Sequence, residues 1–318
     1  MKKRRLIAGT SLAVLLIFVL YKQIDLETLR NFRVKIDFYL LIAALSLYIL
    51  ANIVRAQRFN YIMNNCLKLI DMFKITAFYN LYTGIFPGGI GELSFIFLVR
   101  KKIKKYVPSA LSSIITTRIF DILVTSVYFL CSLIILGRLK SELEKYIFVV
   151  IVIILFLMLH LYIDKIMMIL SKMLSVLTQR YVAWLKSVAD NFRHTSENLE
   201  DNKNKSFLLF IFTFPYWGVN FFIIQLTFWS IGLEISYFES VFLGAISNLT
   251  STIPINTIGG FGYKEAGLTL GLIFIGVAKS DAVIFSFLVH LLHISFMFML
   301  ALISKIASAK FSNAIEAT

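Results

Sequence analysis

Phe86-Pro-Gly-Gly-Ile-Gly-Glu92 interrupts an otherwise apolar run, residues 75–99, and decides how this chain can fold. Proline removes a backbone donor and clashes with the preceding helical turn. Glycine in a helix interior costs about 1 kcal/mol relative to alanine. The run therefore reads as two half-helices. A second run, residues 240–277, is cut in the same way by Pro254 and then by Ile258-Gly-Gly-Phe-Gly-Tyr-Lys-Glu265.

The rest of the sequence says where those breaks lie. Of 318 residues, 58% are hydrophobic, 15% aromatic and only 16% charged. The mean hydropathy is +0.81. A soluble domain carries roughly a quarter charged residues. This composition excludes a soluble enzyme, a secreted disulfide scaffold and a disordered chain, and leaves a polytopic membrane protein. Eight apolar regions stand out, at 6–21, 38–54, 75–99, 109–136, 146–162, 206–232, 240–277 and 281–304. Broken backbone at membrane depth is tolerated only where protein buries it or where it lines a wet cavity.

Charge decides the topology. The net charge is +14. In a membrane protein such an excess orients loops and touches anionic lipid heads, so nucleic acid is not expected as a partner. With both broken regions as re-entrant hairpins, the inside segments hold 22 Lys and Arg against 8 outside. With both as full spans, Arg100-Lys-Lys-Ile-Lys-Lys105 and residues 163–205 move outside and the tally becomes 13 against 17. The positive-inside bias favours the hairpins. The expected fold is all-α: six full spans plus two re-entrant helical hairpins, both termini cytoplasmic, in the cell (plasma) membrane. Residues 163–205 read as a cytoplasmic amphipathic segment.

The two halves also resemble each other. Each Gly-Gly-x-Gly loop ends near a glutamate, and each is followed about 25 residues on by a polar pair, Arg118-x-x-Asp121 or His290-x-x-His293. The hairpins would enter from opposite faces, giving inverted-topology repeats at about 38–136 and 206–304 within one domain, 1–318. Such repeats with broken helices are a transporter signature. Gly89 should overlie Gly260, and Arg118 should lie near the level of His290.

Each candidate site residue carries two readings. The glycines Gly88, Gly89, Gly91, Gly259, Gly260 and Gly262 either allow sharp turns or aim backbone N–H groups and a positive helix end at an anion. Glu92 either caps its own half-helix or meets substrate, and Glu265 either pairs with Lys264 or does so. Arg118 and Asp121 are a buried ion pair, or a planar fork that grips a lipid phosphate beside an orienting carboxylate. Arg55 and Arg58 are interfacial anchors or head-group ligands at the cavity mouth. His290 and His293 are a neutral hydrogen-bonded pair or a proton relay. Tyr79, Asn80, Tyr82, Asn248 and Asn256 could line a polar path. Cys66 and Cys131 have no metal or redox spacing. No third ligand joins the histidines, so neither a metal nor another cofactor is expected.

The order Arg55-x-x-Arg58, Phe86–Glu92, Arg118-x-x-Asp121 and Ile258–Glu265 resembles the lysylphosphatidylglycerol synthase transmembrane, or flippase-like, family. The resemblance runs over nearly the whole chain. It implies a membrane domain that moves modified phospholipids between leaflets, beside a soluble aminoacyl-transferase or glycosyltransferase domain in relatives. This sequence carries neither soluble domain. Its second loop reads Asn256-Thr-Ile-Gly-Gly where that family often has proline before the glycines, and Pro254 lies further upstream.

The expected function is a flippase or scramblase for a phosphate-bearing lipid, not an enzyme. No Gly-x-x-x-x-Gly-Lys-Ser/Thr loop provides an ATP motor. Membrane lipids, and a separate lipid-modifying enzyme, are the expected partners, with oligomerisation open. The alternatives are a membrane enzyme or subunit of lipid or glycan modification, and a non-transporting scaffold.

Overall fold

The computed structural model describes residues 36–86, 90–103, 107–137, 203–252 and 261–316. The apolar regions at 6–21 and 146–162, the amphipathic segment up to residue 202, and Gly88, Gly89, Gly259 and Gly260 lie outside the described residues. Eight helices are described: α1 Phe38–Ile62, α2 Leu69–Ile85, α3 Ile90–Lys102, α4 Val107–Ile135, α5 Lys203–Ser230, α6 Tyr237–Thr252, α7 Tyr263–Phe274 and α8 Lys279–Glu316.

Four of them, α1, α4, α5 and α8, are long and apolar enough to cross a membrane. Burial runs opposite to that of a soluble protein. Phe38, Tyr39, Phe97, Phe207, Leu270 and Leu302 are exposed, while Arg58, Asp121, Glu265 and His290 are buried. Hydrocarbon outside and polar groups inside is the arrangement a bilayer demands. The chain is a membrane protein.

Each broken region is two helices, as the prolines and glycines require. The first begins earlier than its apolar run, at Leu69. The arms of 17 and 13 residues are antiparallel, because Lys102 at the end of α3 reaches Asp71 at the start of α2, Nζ to Oδ1 2.8 Å. The second break separates α6 and α7, of 16 and 12 residues, and Phe242 near the start of α6 stacks on Phe274 at the end of α7. At 1.5 Å per residue the arms measure roughly 18–26 Å, against about 30 Å of hydrocarbon.

The packing repeats itself. α1–α2, α2–α3, α3–α4 and α1–α4 pack within the first four helices, and α5–α6, α6–α7, α7–α8 and α5–α8 within the second four. Between the sets, α2–α8 matches α6–α4, α4–α5 matches α8–α1, and α1 packs on its own counterpart α5. α1 and α5 run antiparallel. The Asp37 N–H at the start of α1 donates to the Ser230 carbonyl at the end of α5 (2.8 Å), and Arg58, late in α1, lies over Tyr216 in the middle of α5. Asp37 also caps α1, its carboxylate accepting from the N–H groups of Tyr39 and Leu40. The apolar core divides the same way. One cluster lies around α1–α3 and takes in Phe296, Met297, Leu300 and Ala301 of α8; the other lies around α6–α8 and takes in Leu133 of α4.

One glycine sets the closeness of the first hairpin, and another faces α8. A Cβ on Gly91 would collide with the Thr83 backbone, whereas one on Gly84 would meet only the Met297 thioether. Backbone cannot yield and a methionine side chain can. Gly91→Ala is therefore expected to cut the yield of monodisperse protein on size-exclusion chromatography severalfold, and Gly84→Ala to cost little. Equal yields would mean that the hairpin opens freely.

Candidate site: a polar cavity between the two halves

A cavity of about 270 Å³ lies between the two sets of helices, and every described helix contributes to its wall. Its polar side chains group into four clusters, each assembled from different elements.

The first cluster joins α3 to α4. Glu92 is the third residue of α3, so it projects from the helix start toward the neighbouring long helix. Its Oε1 accepts from Arg118 Nη2, and its Oε2 accepts from the Tyr79 hydroxyl of α2 at 2.6 Å. Both charged side chains are about one-third exposed, to the cavity. The second cluster repeats this in the other half. Glu265 is the third residue of α7; its Oε1 lies 2.5 Å from His290 Nδ1 of α8, and its Oε2 accepts from the Gly262 N–H at 2.7 Å. Here both side chains are buried.

The third cluster is a buried ion pair. Arg58 Nη2 donates to Asp121 Oδ1 at 2.8 Å, and the Trp217 indole N–H of α5 donates to the same oxygen at 2.9 Å. The guanidinium lies over the Tyr216 ring, 5.1 Å from its centre, and its Nε and Nη1 have no hydrogen-bond partner among the described residues. The fourth cluster has no carboxylate. Arg55 Nη1 donates to Asn80 Oδ1 at 2.6 Å, and its guanidinium lies against the rings of Tyr79 and Phe59. Asn80 in turn donates to Asn52, which donates to the Tyr48 carbonyl at 2.8 Å. Lys264 also faces the cavity and makes no ion pair within 4.0 Å among the described residues.

Several sequence expectations need correction. Arg118 and Asp121 are not each other's partner: α3 supplies the carboxylate for one, and α1 the guanidinium for the other. Glu265 pairs with His290 and not with Lys264, and it caps its own helix, the role expected of Glu92; the described bonds of Glu92 go to Arg118 and Tyr79. The two histidines do not bond to each other. His293 instead sets its ring edge-on to Tyr48, centroids 5.5 Å apart. Arg58 is not an interfacial anchor, because α1 does not stop at residue 54 but continues to Ile62 and buries that arginine. Arg118 is therefore one of several cations deep in the bundle. The last helix likewise runs past residue 304, to Glu316.

Sequence reasoning missed Tyr48, Asn52, Tyr216 and Trp217, and read Lys264 only as a partner for Glu265. Their signal is slight: amides and aromatics in apolar spans look like packing residues until their faces are known. Gly91 and Gly262 stand where expected, at the starts of α3 and α7. Gly262 has φ of 93°, a left-handed conformation that glycine adopts without strain. No group of three His, Cys, Asp or Glu side chains gathers among the described residues. Cys66, in the turn between α1 and α2, is partly buried, and burial pushes its thiol up, away from reactivity.

Arg55, Arg118 and Lys264 thus line one cavity with the carboxylates of Glu92 and Asp121, Arg58 and Glu265 bond to its lining residues Asp121 and His290, and each carboxylate is already engaged by a cation or a histidine. The family model described as the lysylphosphatidylglycerol synthase TM region matches residues 6–302. The chain belongs to that family. No curated protein and no solved structure matches it. The match takes in both broken helical regions and all four cavity clusters, and sets the chain among membrane proteins of lipid metabolism.

Proposed function

We propose that this protein is a flippase or scramblase that moves a phosphate-bearing lipid between leaflets. The observation that carries the reading is the excess of cation over carboxylate around a cavity shared by both halves. Arg55 and Lys264 have no carboxylate within ion-pair distance among the described residues. An uncompensated cation inside a membrane protein is costly, and a bound anion offsets that cost. A head-group phosphate can enter such a cavity while its tails stay in lipid. On this reading α2–α3 and α6–α7 are re-entrant hairpins entering from opposite faces, the halves are inverted repeats, and access alternates as one rocks against the other. The protein sits in the plasma membrane with both termini cytoplasmic, and a gradient or mass action drives the movement.

An enzymatic reading has less support. A general base needs a carboxylate poised toward substrate, and Glu92, Asp121 and Glu265 are each held by a partner. The test is purified protein in liposomes carrying fluorescent phosphatidylglycerol, with a membrane-impermeant quencher outside. Quenching should proceed well past the outer-leaflet half. Quenching that stops at that half, as in protein-free liposomes, would remove the transport reading.

A further inference from the structure

We propose that Glu265 and His290 form the proton-binding site of this cavity, and that an anionic ligand and one proton are taken up together. The inference rests on the transport reading only for what the anion is.

The two halves place equivalent parts. In the first, the third residue of α3 meets an arginine 26 residues on; in the second, the third residue of α7 meets a histidine 25 residues on. The partner differs in one respect. Arg118 is charged at every accessible pH, whereas an imidazole gains and loses its proton near neutrality. The second half therefore places a histidine where the first holds a permanently charged arginine.

The hydrogen bonds fix the proton inventory. Glu265 Oε2 accepts from the Gly262 N–H, and Oε1 faces His290 Nδ1. With one shared proton, Nδ1–H donates to the carboxylate, Nε2 carries a bare lone pair, and the pair has a charge of −1. With a second proton the charge is zero, whether the pair is a carboxylate with an imidazolium or a carboxyl with a neutral ring. In both arrangements Nε2 bears hydrogen. That atom is the informative one: His290 is 3% exposed, it lines the cavity, and its Nε2 has no partner among the described residues. A buried donor or acceptor without a partner is costly. Proton entry turns the lone pair into a donor, and an anionic oxygen satisfies it once a shift of the ring or of the cavity wall uncovers Nε2, which is closed off in this conformation.

Lys264 and Glu265 come from α7, His293 from α8 itself, and Tyr48 from α1, its ring against His293. The cavity faces of α2 and α5 bring Asn80 and Thr83, and Asn220, Thr227 and the Tyr216 phenol. Phe261 covers one side of the His290 ring, 4.9 Å between centroids. Among the described residues the only carboxylate at hydrogen-bond distance from His290 is thus Glu265. Protonation raises the cation excess around the cavity by one charge and adds a donor. Whatever anion gains from that proton, the proton gains from the anion, by linkage.

Two measurements test this. In weakly buffered detergent solution, adding phosphatidylglycerol near neutral pH should draw up to one proton per protein, read by a pH indicator. His290→Arg and His290→Gln should abolish the uptake. In liposomes, wild-type movement of fluorescent phosphatidylglycerol should fall by up to tenfold per pH unit once the second proton is lost, and His290→Arg should flatten that profile. If neither variant folds, the wild-type proton count decides alone. Lipid movement with no proton uptake and a flat pH profile would overturn the proton site and leave transport standing. Proton uptake without lipid movement would do the reverse.

Discussion

Asp121→Asn is expected to lower the melting temperature of the purified protein more than any other single substitution around the cavity. Arg58 is 1% exposed, so it cannot reach water without unpacking α1. Its charge is met by Asp121 Oδ1, and the Trp217 indole N–H converges on that same oxygen. Asparagine keeps an acceptor but removes the negative charge, leaving an uncompensated guanidinium in a dry site. Breaking a buried pair from one side typically costs about 3–5 kcal/mol, whereas replacing both members by apolar residues of similar size is often neutral. The double substitution Arg58→Met with Asp121→Leu should therefore recover most of the loss, and Trp217→Phe should cost about 1 kcal/mol, one hydrogen bond. Thermal unfolding in detergent reads all three. A melting temperature for Asp121→Asn equal to wild type would mean that Arg58 finds another partner.

The same pair shows what a sequence can and cannot disclose. The two breaks were legible because proline and glycine act locally, and they appear where predicted, before α3 and before α7. The recurrence of a basic residue about 25 positions after each loop glutamate was legible too. The partners were not. Within a linear sequence Arg118 and Asp121 are visible as neighbours one turn apart, and so are His290 and His293. Only the packing of α3 on α4, and of α7 on α8, brings each loop glutamate to the next long helix. Hydropathy averages over a helix circumference, so the polar face of α1 carrying Asn52, Arg55 and Arg58 read as the end of a span. Asn52 and Arg55 instead line the cavity, and Arg58 is buried against Asp121. Tyr216 and Trp217 failed for the same reason: an aromatic pair in an apolar run gives no hint of which ring lies under a guanidinium.

Arg55→Gln is expected to slow the movement of phosphatidylglycerol ten- to hundredfold while leaving the fold intact. Of the three arginines around the cavity, Arg58 and Arg118 each have a carboxylate, so an anion must compete for them. Among the described residues Arg55 has only the Asn80 amide oxygen and two aromatic faces, and its removal strands no buried carboxylate there. A hydrogen bond to a charged group contributes about 1.5–3 kcal/mol, which corresponds to roughly a ten- to hundredfold change in occupancy. Glutamine still donates to Asn80, so the Asn80–Asn52 chain keeps its partners and the melting temperature should move little. Arg55→Lys should fall between, because it keeps the charge but loses the planar fork that stacks on Tyr79. Movement of a zwitterionic lipid measured in the same liposomes separates electrostatics from shape. If Arg55→Gln slowed both lipids equally, the residue would be shaping the cavity, and the cation excess would not be what selects the anion.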